Sequence, residues 1–85
     1  MKLYELPYHT AASVTVVSDR APNDAIARRL REIGFVSGER VEVLAVGPMG
    51  IEPLLVQIGF TRFALRRAEA ARVQVSIEGP AGSGA

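Results

Sequence analysis

One imidazole, no thiol and nine carboxylates are the whole stock from which this 85-residue chain could assemble a reactive centre. The imidazole is His9, and imidazole nitrogen suits divalent transition metals. A single histidine does not hold such an ion tightly. His9 would need carboxylates such as Glu5, Asp19 or Glu52, or a second chain, to complete a ligand set. No base stands beside a nucleophile in the sequence, and no pair of carboxylates has a spacing suited to acid-base work. Cysteine is absent, which removes thiolate metal sites, disulfides and cysteine nucleophiles together. The expected set of catalytic residues is therefore empty, and the chain is expected not to be an enzyme.

Recognition of a partner is better supplied. Met49, Ile51 and Leu55 lie in or beside a Gly-Pro-Met-Gly turn, and Phe60 follows a second glycine at the tip of a hairpin. Apolar residues gathered at exposed turns mark an interaction surface when they are contiguous, unless they fold back onto the core. Arg66 belongs to an arginine set with Arg28, Arg29, Arg31 and Arg67 that could meet an acidic surface. Nine of the ten basic residues are arginine, yet the net charge is only +1. That balance ranks nucleic acid below protein as a partner. The amino-terminal MKLYELPYHT lacks a signal-peptide core, and no run approaches the ~20 apolar residues of a spanning helix, so a cytoplasmic protein is expected.

These residues must be positioned by a very small fold. Leu3 and Leu6 can pin the amino-terminal segment to a core. Ser13 to Ser18 is β-branched and puts Val14 and Val16 on one face of a first strand. Ile26, Leu30 and Ile33 form one apolar stripe of a helix expected over residues 22 to 33, with Pro22 in its first turn and Asp24 near the positive end of its dipole. Gly34 then suits a left-handed helix stop with Phe35 against Leu30, and Gly38 suits the third position of a type II turn. Arg40 to Val46, Leu54 to Ile58 and Arg62 to Leu65 read as further strands. A helical turn near Arg66 to Ala71 leads to a last strand with Val73, Val75 and Ile77 on one face. Five short strands and one real helix predict a curled, partly closed barrel over residues 1–78, the helix plugging one end, and a flexible tail over 79–85.

Three blocks carry a resemblance. Arg29-Leu30 with Ile33-Gly34-Phe35 and Gly38, then Gly47-Pro48 with Gly50 and Pro53-Leu54, then Ala64-Leu65-Arg66-Arg67 with Glu69-Ala70, resemble the pattern of the ferrous iron transport protein A (FeoA) family. The likeness runs from residue 3 to about 77. Ser37 stands where that family favours proline, and Tyr8-His9-Thr10-Ala11 stands where it usually has a glycine turn. The resemblance implies an SH3-like small barrel, mainly β. It also implies an accessory role, peripheral to the inner face of the membrane, beside the large ferrous iron transporter with a GTP-binding domain (FeoB).

The resulting expectation is a regulatory binding protein that docks on the cytoplasmic part of that transporter through Met49, Ile51, Leu55, Phe60 and Arg66. It has no small-molecule substrate and at most a weakly held divalent transition metal, iron or zinc, at His9. Two other classes compete: a barrel of the kind appended to metal-dependent transcription repressors, serving dimerisation, metal binding or nucleic-acid contact, and a structural homodimer.

Overall fold

Period-two alternation is realised as five antiparallel strands, β1 (Ala12–Val17), β2 (Arg40–Val46), β3 (Leu54–Ile58), β4 (Thr61–Leu65) and β5 (Val73–Ile77). They form one sheet in the order β4-β3-β2-β1-β5. The computed structural model describes residues 1–47 and 52–78. Met49, Ile51 and the expected tail over 79–85 lie outside the described residues. The meander β2-β3-β4 is joined by short connections, whereas β1 pairs with β5 across most of the chain's length. The five strands are those the strand count predicted, in the small SH3-like architecture that the family resemblance implied.

The helix is shorter than its apolar stripe suggested. Helix α1 covers Ala25–Glu32, and Asp24 is its N-cap, accepting from the Ile26 and Ala27 N–H groups at 3.1 and 3.2 Å. Pro22 therefore precedes the helix, because the strong Asp cap two residues later sets the start. The core-facing pair is Ala27 and Leu30, while Ile26 keeps 39% of its surface exposed. At the other end Gly34 has φ +122, its N–H bonds the Arg31 carbonyl at 3.2 Å, and the Phe35 N–H bonds the Leu30 carbonyl at 3.0 Å. Those two bonds are the Schellman pattern, and they satisfy carbonyls that the helix end leaves over. Gly38 follows at φ +92 with the Glu39 N–H on the Val36 carbonyl at 3.0 Å, the expected turn.

Two bulges alter the inward set. Between Val14 and Val16 the pairing with β5 shifts by one, so Val17 turns into the core and Val16 stays half exposed. A second shift lies between Val43 and Ala45 opposite β3. Ile77, placed inward by simple alternation, is 43% exposed at the end of β5. The core is otherwise the expected one: Val41, Val43, Leu54, Val56, Ile58, Leu65, Val73 and Val75 are buried, together with Leu3 and Leu6 from the amino-terminal segment. Phe35 is fully buried, its ring tilted against Phe63 at 6.2 Å between centroids.

The second helix, α2 (Arg67–Ala70), is a single turn between β4 and β5. Its link to α1 is an ion pair that joins residues 48 positions apart. Arg72 Nε donates to Asp24 Oδ2 at 2.8 Å and Arg72 Nη1 donates to the Ala68 carbonyl at 2.7 Å. Both charged side chains are largely buried, Asp24 at 5% and Arg72 at 12% exposure. The Arg72 guanidinium, and after it the Arg20 N–H, hold the Asp24 carboxyl well below the usual carboxylate range. Arg72 is thus turned inward although the alternation of β5 placed it outside.

Candidate functional site

A groove of about 420 Å³ opens between α1 and the strand-helix junction of β4 and α2. One wall is the flank of α1 that runs from Ala25 and Ile26 through Arg29 and the buried Leu30 to Ile33. The facing wall is the consecutive run Phe63, Ala64, Leu65 and Arg66, with Glu69 beyond it. Its floor is apolar and its rim carries Arg29 and Arg66 together with Glu69. Neither Arg29 nor Arg66 forms an ion pair among the described residues. The Glu69 carboxylate accepts from the Arg66 N–H at 2.7 Å, which caps α2. The Asp24–Arg72 pair ties the N-terminal end of α1 to the α2–β5 junction and so holds the two walls in register.

The sequence-derived contact residues do not fall in one place. Arg66 is on the groove. Leu55 is half-buried on β3, with Ala45 and Ala64 as its cross-strand neighbours. Phe60 is fully exposed in the two-residue β3–β4 turn. Five residues along the chain separate it from Leu55, roughly 16 Å for extended backbone. Met49 and Ile51 lie outside the described residues. Of the groove residues, Ile33 and Phe63 also pack against the core, whereas Ile26, on the apolar stripe expected for the helix, is partly exposed. The available signal on α1 was its excess of apolar positions, since Ile26 stays 39% exposed while Ala27 and Leu30 are buried and Ile33 packs against the core.

His9 sits in a left-handed conformation, φ +57, its N–H donating to the Val43 carbonyl at 2.8 Å. This backbone turn takes the place of the glycine turn usual in the resembled family. Nδ1 of His9 is 3.5 Å from Glu42 Oε2, so the carboxylate beside it is Glu42 rather than Glu5, Asp19 or Glu52. Among the described residues no group of three or more His, Asp or Glu is placed to hold a metal ion. Two donors fall short of the four a closed zinc site requires. No helix among the described residues is long and apolar enough to cross a membrane.

Comparison with known proteins gives a consistent picture. A family model described as the FeoA domain matches residues 1–77. The chain is similar to the FeoA of Stenotrophomonas maltophilia, solved in complex with zinc and described as a procaryotic SH3 domain protein and candidate ferrous iron transport activating factor. The two are 66% identical over 89% of each chain, with a TM-score of 0.83. It is 37% identical to the FeoA protein of Chlorobium tepidum, over 93% of this chain and 71% of that one, with a TM-score of 0.80. A manganese-dependent transcriptional repressor shares the fold at 21% identity and a TM-score of 0.73, over 91% of this chain and 40% of the repressor. No curated protein sequence matches the chain.

Proposed function

Since the chain belongs to the FeoA family, an accessory family of ferrous iron transport, we propose that it is a cytoplasmic, non-catalytic module that docks on the cytosolic part of the GTP-binding iron transporter FeoB and biases its cycle. The observation that carries this reading is the family match over residues 1–77, almost the whole described chain. The groove between α1 and β4 supports it: an apolar floor rimmed by Arg29, Arg66 and Glu69, with neither arginine in an ion pair among the described residues, suits a protein partner. A docked module shifts a nucleotide cycle only by binding its states unequally. Calorimetric titration of the transporter's soluble cytosolic part, in GDP and GTP-analogue states, tests this. Association with affinities that differ between the states is expected, weakened about tenfold or more by Arg66→Glu. Absence of association in every state overturns the reading.

The zinc complex of the 66% identical relative favours a subsidiary metal-binding reading. His9 and Glu42 supply half of a four-coordinate shell, so weak zinc or ferrous binding that requires two copies is the form this would take. The repressor-type role rests on shared fold alone, which does not transfer function.

A further inference from the structure

We infer that the groove takes an extended acidic segment of the transporter's cytosolic part, added to the free edge of β4 as a sixth strand. The inference rests on the docking reading above and specifies its contact. A strand points successive side chains to opposite faces, so a wall that includes three consecutive residues of β4, Phe63 to Leu65, runs along the strand's edge and not one of its faces. The hydrogen-bonding parity of that edge follows from the hairpin. Gly59 has φ +59 and opens a two-residue turn, so Ile58 and Thr61 are a hydrogen-bonded pair. Alternation then gives Val56–Phe63 and Leu54–Leu65 as the next such pairs. The Gly59 N–H on the Arg40 carbonyl, at 3.2 Å, agrees, because it sends the odd-numbered residues of β3 toward β2. The N–H and C=O groups of Arg62 and Ala64 consequently point away from the sheet, and no backbone partner meets them among the described residues.

The opposite edge of the sheet is treated differently. There the amino-terminal residues cover β5, with the Val75 N–H on the Met1 carbonyl at 2.8 Å and a bridge between Lys2 and Gln74. One edge is closed by the chain itself and the other opens into an apolar groove. An open edge offers main-chain affinity, and the adjacent trough offers pockets for alternate side chains. Charge selects the occupant. Arg29 and Arg66 line the groove without ion pairs among the described residues, while the Glu69 carboxylate beside them is taken up by the Arg66 N–H. A second copy pairing on β4 in the register centred on Ala64 would set Arg62 opposite Arg66, like charge against like. An acidic segment meets Arg29 and Arg66 favourably.

Ala64→Pro is the direct test, because Ala64 donates nothing to β3 and proline is tolerated on an edge at such a position. The probe is the transporter's soluble cytosolic part, with amide hydrogen exchange and titration as readouts. Expected are at least tenfold slower exchange at Ala64 in the complex and at least tenfold weaker binding by Ala64→Pro, with circular dichroism unchanged from wild type. Ile26→Asp, on the exposed helix wall, serves as a second variant expected to weaken binding without touching the edge. Binding that survives Ala64→Pro, with the Ala64 amide of the wild-type complex still exchanging freely, overturns strand addition and leaves docking intact. Loss in Ile26→Asp alone points to a helix in the groove and equally overturns it. No association by wild type removes docking and this inference together, and self-association that protects Ala64 makes a second copy the occupant instead.

Discussion

At the scale of the residue, Asp24 concentrates more structural work than any other charged group described. One carboxylate caps α1 through two N–H groups, accepts from the Arg20 N–H at 2.8 Å and receives Arg72 from the far end of the chain. Because these donors favour the ionised form, its folded carboxyl titrates well below its unfolded one. The associated stability is fully present above the unfolded carboxylate range, near pH 4, and is lost as pH falls toward the lower folded value. Urea unfolding followed by circular dichroism is expected to show Asp24→Asn less stable than the natural chain at pH 7, with the difference shrinking as pH falls below the unfolded carboxylate range, because only the natural chain loses this contribution. Parallel curves for the two proteins would contradict this. The sequence disclosed Asp24 only as a favourable charge near a helix start. Its partner Arg72 could not be read there, since alternation along β5 assigned that side chain to solvent.

At the scale of the element, the corner between α1 and β2 was the most legible part of the chain. Gly34 and Gly38 both have positive φ, and each has the hydrogen bonds that its neighbours implied. A Cβ on Gly34 would meet nothing closer than Ile58 Cγ1 at 4.0 Å, so the cost of Gly34→Ala is conformational and not steric. Chemical denaturation is expected to show a loss of about 1 kcal/mol or more, and an unchanged midpoint would refute the corner. Local backbone chemistry at such a turn is encoded in a few adjacent residues. The bulge after Val14 is different, because one extra residue on β1 is defined only against β5, some sixty positions away. Pattern alone therefore put Val16 inside, where the fold puts Val17. The groove escaped notice for the same reason: Phe63 and Ile33 do pack against the core, and only the gap between α1 and β4 shows that they also line a groove.

At the scale of the whole molecule, the small core leaves every buried aliphatic side chain with a large share of the stability. Leu3 is fully buried although it belongs to a 3-10 turn, Leu3–Glu5, outside the sheet, and the isolated bridge from Lys2 holds that turn against β5. Leu3→Ala is expected to cost about 2–5 kcal/mol in urea or thermal unfolding; a loss under 1 kcal/mol would mean that the amino-terminal segment packs more loosely than described. Its burial was legible from the spacing of Leu3 and Leu6, whereas the pairing that fixes it was not. The seam between β1 and β5 also dictates an order of events during synthesis. The hairpins from β2 to β4 contain only near neighbours and can form while the nascent chain is still growing, but β1 must wait, unsatisfied along one side, until Val73–Ile77 has been translated and has left the ribosome.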